Sequence, residues 1–174
     1  MNIVKKLLVA TCIAMLAACS TSVKRLDDGN GETRAIQSQS IAEYNIHLTE
    51  NAQQDQLNNR EFREEELKRA ISDVMRKNNL GSNEKNGKTL VLDVQVTNIR
   101  VRSSFAAIMF GFLAGSDYIR GEVTLKDQTG KQYGQFLVSA DYAFGGFAGG
   151  QNDVRMNWLY EAFAESLAKA LLKA

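Results

Sequence analysis

The chain has 174 residues, with 21 Lys and Arg against 20 Asp and Glu, so its formal net charge is +1. That balance offers no electrostatic footprint for nucleic acid, which is held by concentrated positive charge. Only two cysteines and one histidine are present, which excludes a disulfide scaffold and any metal site or catalytic triad built on several imidazoles. Proline is absent and there are 13 glycines, so turns must be made by Gly, Asn and Asp.

The N-terminus has the parts of a secretory signal. Lys5 and Lys6 form a positive region, Leu7 to Leu16 is apolar, and Ala17-Ala18 precede Cys19. The apolar stretch is far shorter than the ~20 residues that span hydrocarbon as a helix. Leu16-Ala17-Ala18-Cys19 resembles a bacterial lipobox, in which cleavage falls before the cysteine and its sulfur and new amino group are acylated. The alternative is an ordinary signal cleaved nearby that leaves a free thiol. Several acyl chains on one residue anchor stably where a single chain does not. In lipoproteins of this kind an aspartate after the cysteine holds the protein in the inner membrane. Ser20 lacks that signal, which points to the periplasmic face of the outer membrane.

Processing there leaves 156 residues, enough for one domain, with formal charge near −1 after Lys5 and Lys6 are lost. Cys12 goes with the signal and Cys19 is taken by lipid, so the fold must rest on its apolar core. Residues 1–18 are then the signal, 19–33 a lipidated flexible tether, and 34–174 one domain. The 14 residues Ser20 to Thr33 are polar and aperiodic, with a reach of roughly 20 Å for a flexible linker.

Ile41 to Leu48 alternates, with Ala42, Tyr44, Ile46 and Leu48 on one face and Glu43, Asn45 and His47 on the other, as in a half-buried strand. Thr49 to Leu57 is polar and reads as a loop. Asn58, with Glu61 as the acid of a capping box, predicts the start of a helix. Phe62, Leu67, Ala70, Ile71, Val74 and Met75 form its stripe, and Gly81 its end. Lys88 to Arg102 predicts a strand with a bulge near Thr97-Asn98, where the alternation changes phase. Tyr118 to Lys126 and Gln135 to Tyr142 predict a hairpin around Asp127-Gln128-Thr129-Gly130. A final helix follows Asn152 or Asp153, with Val154, Trp158, Leu159, Ala162, Phe163, Leu167, Ala170 and Leu171 as its stripe and Trp158 as a core anchor. The expected fold class is α+β, ordered β-α-β-β-β-α. Its four-stranded sheet is mixed or antiparallel, with two helices packed on one face.

Phe105 to Gly115 (FAAIMFGFLAG) is apolar without alternation. Phe105, Ile108, Met109, Phe110, Phe112 and Leu113 either contact a membrane or partner, or fold back over the open edge of the sheet. A patch this apolar is unusual on the surface of a monomer. Gly145-Gly146-Phe147-Ala148-Gly149-Gly150 precedes a helix, but its spacing matches no phosphate-binding motif and it reads as a connecting loop. His47 falls on a polar strand face as a surface residue. Asp93, Asp117, Asp127 and Asp141 lie on or beside strands and are the carboxylates an enzyme would have to use. No spacing brings two of them together, so no catalytic residue, cofactor site or metal site is assigned.

The segments Leu90-Val91-Leu92-Asp93-Val94-Gln95-Val96, Gly111-Phe112-Leu113-Ala114-Gly115 and Gly121-Glu122-Val123-Thr124-Leu125-Lys126-Asp127 with Thr129-Gly130, taken in order, resemble a group of uncharacterised bacterial envelope lipoproteins. The resemblance implies a lipid-anchored domain facing the periplasm and brings no activity. The expected function is a non-catalytic binding or assembly module of the envelope. Its partners would be the membrane, through the N-terminal lipid, and an envelope protein or a second copy, without nucleic acid. An enzyme using strand or loop carboxylates and a purely structural surface lipoprotein are the alternatives.

Overall fold

The computed structural model describes residues 19–27, 40–81, 89–144 and 151–173. The expected signal (1–18), the tether residues 28–33 and the loop 145–150 lie outside the described residues. Five strands make one sheet: β1 (Cys19–Arg25), β2 (Ser40–Leu48), β3 (Thr89–Arg100), β4 (Asp117–Asp127) and β5 (Gln132–Tyr142), in the order β1-β5-β4-β3-β2. All neighbours are antiparallel except β2 and β3, which run parallel. The helices are α1 (Glu50–Asn58), α2 (Glu64–Lys77), α3 (Ser104–Phe110) and α4 (Asn152–Lys173), with a 3-10 turn at Gly111–Ala114. The α+β class holds. The expected four strands and two helices become five and four.

The core lies between one sheet face and the long helices. Leu90, Leu92, Val94 and Val96 of β3, Val123 and Leu125 of β4, and Phe136 and Val138 of β5 meet Leu159, Phe163 and Leu167 of α4 and Leu67, Ile71 and Met75 of α2. Each such side chain contributes about 1.5–3 kcal/mol when fully buried. Alternation turns Asp93, Gln95, Glu122, Thr124 and Gln135 to the opposite, polar face. The bulge expected near Thr97-Asn98 appears as a register shift between Val96 and Asn98. The 127–130 turn closes through Gly130 N–H to the Asp127 carbonyl, with Gly130 at φ 88°.

Four corrections follow from packing. First, Cys19–Arg25 is an edge strand paired to β5 from Cys19↔Tyr142 to Arg25↔Phe136, not the start of a tether. An edge strand needs no apolar face of its own, because ladder hydrogen bonds hold it and half its side chains meet water. Second, residues 50–57, expected as part of a loop over Thr49 to Leu57, are helical. Thr49 Oγ1 caps them by accepting from Ala52 N–H at 3.3 Å. β2 stops opposite Val96, and α1 with its C-cap supplies acceptors for N–H groups beyond it: Asp55 for Ile99 of β3 at 3.1 Å, and Asn59 for Val101 just past β3 at 2.5 Å.

Third, α2 starts at Glu64 rather than at Asn58, which ends α1. Glu61 accepts instead from Asn152 Nδ2 at 3.1 Å. Asn79, at φ 57°, reverses the chain after α2 where Gly81 was expected to do so. Fourth, the first turns of α4 depart from the expected stripe, while Leu159, Phe163, Leu167 and Leu171 are buried as expected. Val154 is exposed, Trp158 is half-buried, and Arg155, Met156 and Tyr160 are buried. At that end Arg155 turns inward to an ionic contact with Asp117.

Candidate functional site

Among the described residues, the strand ends near Cys19 hold the densest side-chain network of buried charges and an exposed apolar segment. Cys19, Tyr142 and Asp117 lie in one row across β1, β5 and β4. Asp117 is fully buried, as is Arg155 of α4, and Arg102 after β3 is 5% exposed. The Asp117 carboxylate accepts from Arg102 N (2.6 Å), Nε (3.2 Å) and Nη2 (3.0 Å). Arg155 Nη1 donates to both of its oxygens at 2.9 Å.

One carboxylate faces two cations, and backbone carbonyls disperse the remaining positive charge. Arg102 donates to Gly111 (2.6 Å), Tyr142 (3.2 Å) and Phe144 (2.9 Å), and Arg155 Nη2 donates to the Arg102 carbonyl at 3.0 Å. Arg155 also bonds Asn152 Oδ1, which accepts from Ser104 Oγ at 2.9 Å. A buried charge survives only when paired and hydrogen-bonded in this way. The network ties β3, β4, β5, α3 and α4 into one corner, which is a structural task for Asp117.

Cys19 sits beside this corner, half-buried. Burial pushes its thiol up, partly offset by the backbone N–H groups of Phe144 and Ala143 and by the charge of Arg102. The next residue, Ser20, is exposed opposite Asp141.

Phe105 to Gly115 folds as α3 and the 3-10 turn. Ser103 Oγ caps α3 by accepting from Ala106 N–H at 3.2 Å, and Gly111 ends it at φ 51°. Gly115, at φ 85°, brings the backbone so close to the Arg100 guanidinium that a β-carbon would lie 2.9 Å from it. Only Ala107 of α3 is buried. Phe105 is 67% exposed, Met109 60%, Phe110 54% and Leu113 77%, and Ile108 is half-buried. The segment joins two interior strands, β3 and β4, and turns these side chains to solvent instead of folding them over a sheet edge. Phe112 lies in the 3-10 turn.

The other carboxylates each have a different partner. Asp93 pairs with Lys126 and lies 3.5 Å from His47 Nε2, on the polar sheet face. Asp141 accepts from Ser139 Oγ at 2.7 Å and lies 3.9 Å from Arg120. Asp127 organises its turn, accepting from Thr129 N–H, Thr129 Oγ1 and Lys131 N–H. These bonds, chiefly that from Thr129 Oγ1, hold its pKa below the usual carboxylate value. The His47 side chain is exposed, as its place on the polar face predicts.

Arg155 was missed by the sequence reading. Its signal is spacing: it lies four residues before Leu159 and eight before Phe163, on the buried side of α4. A charge at that phase implies a buried partner.

No curated protein matches the chain. Among solved structures it is similar to two crystal forms of the PelC dodecamer from Paraburkholderia phytofirmans. One, a point variant, is 11% identical, covers 84% of this chain and 96% of that one, and has a TM-score of 0.46. The other is 10% identical, covers 86% and 98%, and has a TM-score of 0.45. Residues 21–146 match the family described as a domain of unknown function, DUF4410, and the chain belongs to that family.

Proposed function

We propose that this chain is a lipoprotein held by acylated Cys19 on the periplasmic face of the outer membrane, where its domain is a non-catalytic binding or assembly module of the envelope. The observation that carries the reading is the position of Cys19. It follows the basic and apolar stretch and Leu16-Ala17-Ala18, and it is also the first residue of β1. Cleavage before Cys19 would leave the residues of all five strands in the mature chain. The non-catalytic part draws support from the four aspartates. Asp117 holds two arginines, Asp127 a turn, and Asp93 and Asp141 each a separate cation.

The test is metabolic labelling with palmitate followed by fractionation of salt-washed envelopes. Wild type is expected to carry label and to fractionate with the outer membrane. Cys19→Ser should lose the label and leave the membrane, and Ser20→Asp should move the protein toward the inner membrane. An unlabelled wild type, or a Cys19→Ser variant that keeps the label, refutes the anchor.

A further inference from the structure

The exposed apolar segment and the proposed anchor occupy the same end of the sheet. β3 ends at Arg100 and β4 begins at Asp117, so residues 101–116 stand off the row that contains Tyr142 and Cys19. A single guanidinium, that of Arg102, binds both the Gly111 carbonyl at the end of α3 and the Phe144 carbonyl after β5. The backbone of Phe144 and Ala143 also neighbours the Cys19 sulfur. Phe144, itself 40% exposed, extends the patch toward Cys19.

We propose that this surface, made by Phe105, Met109, Phe110, Leu113 and Phe144, inserts into the same leaflet that holds the Cys19 lipid. The domain is then seated on the bilayer by its strand ends instead of hanging from a tether. The inference rests on the anchor reading and adds orientation to it.

Three observations favour lipid as the occupant. Cys19 is the first residue of β1, in the row with Tyr142, so a lipid on its sulfur and amino group would start at the same strand ends as the patch. Because β1 begins at Cys19 itself, no slack separates anchor from patch. Insertion then becomes an intramolecular step at high effective concentration. The rim carries a matching charge. Exposed Arg100 is held by the carbonyls of Ser116 (3.2 Å) and Ala114 (3.3 Å), beside the apolar side chains and at the level where anionic headgroups would lie. Apolar helical faces of this kind settle about 5–10 Å into the headgroup and acyl boundary. A second copy is the poorer fit, because the segment offers 11 residues where a stable interface uses roughly 20–30 from each side.

The test uses the full acylated protein, purified from bacterial membranes and reconstituted into vesicles of phosphatidylethanolamine and phosphatidylglycerol with brominated acyl chains. Leu113→Trp places a reporter in the patch, and Gln128→Trp places one in the hairpin turn at the far end. Wild type, with Trp158, is the baseline. Leu113→Trp is expected to float with the vesicles, shift its emission to the blue and be quenched by the brominated chains. Gln128→Trp should float without added quenching. A Leu113→Trp protein that floats but keeps water-like emission overturns the seating and leaves the anchor standing. A blue shift without quenching also overturns it, since the patch would then be covered by protein. If wild type does not float, the anchor fails and the seating fails with it.

Discussion

Removing the Asp117 carboxylate is the sharpest available probe of what holds the domain together. The group is fully buried and accepts five hydrogen bonds, three from Arg102 and two from Arg155. Asp117→Ala leaves two guanidiniums in the interior with no counter-charge, and breaking one buried pair already costs ~3–5 kcal/mol. With both cations orphaned, the expected loss is at the upper end, about 5 kcal/mol. Against a total stability of ~5–15 kcal/mol this is a large fraction. At ~2–4 °C per kcal/mol for a domain of this size, the melting temperature should fall by about 10–20 °C. Asp117→Asn should cost nearly as much, because its NH2 group would meet a guanidinium N–H donor to donor. Arg155→Leu leaves the neutral Arg102–Asp117 pair intact and should cost less, about 3 kcal/mol. The assay is urea and thermal unfolding followed by circular dichroism. A loss below about 1 kcal/mol for Asp117→Ala would mean that water reaches the cluster, and the reasoning would fail.

Gly81→Ala should destabilise by about 1–3 kcal/mol in the same melts, since a β-carbon there would sit 3.0 Å from the Arg76 backbone nitrogen and 3.3 Å from Tyr44 Oη. Trp158→Ala should cost about 2 kcal/mol, less than the ~3–5 of a fully buried Trp, because the half-buried indole packs mainly on Tyr142 at 5.2 Å between ring centroids. Burial pushes the Tyr160 and Tyr44 hydroxyls up to about 12 from 10.0, so folding favours their neutral forms. That contribution is complete below pH 10 and is lost as pH rises from 10 to about 12. Unfolding followed across that range should show a steep loss of stability that is shallower in Tyr160→Phe.

How much was legible in the sequence depended on whether an element carries its own apolar period. β3, β4 and β5 alternate over long runs and their bulge and turn are written locally, so their positions followed from the residues alone. The apolar stripe of α2 was equally readable. β1 and α1 were not, because neither has an apolar face to report. Ser-Thr-Ser-Val-Lys-Arg becomes a strand only because β5 offers an unpaired edge. The Gln-rich α1 is placed by Asp55 and Asn59, which satisfy backbone donors that exist only because β2 stops short of the end of β3.

The corner around Asp117 marks the same divide. Asp117 was visible as a carboxylate beside a strand, but its two cations come from 15 residues earlier and 38 residues later in the chain. Their convergence requires the β3–β4 connection and the N-terminus of α4 to meet. The apolar composition of 105–115 and the basic and apolar stretch leading to Leu16-Ala17-Ala18-Cys19 were plain in the sequence. Tertiary pairing decided that Cys19 starts a strand, and the network around Arg102 decided that the apolar segment and Cys19 share one end of the sheet. A sequence records which side chains prefer water and with what period, whereas the meeting of residues far apart in the chain is set by which backbone edges and charges are left to be satisfied.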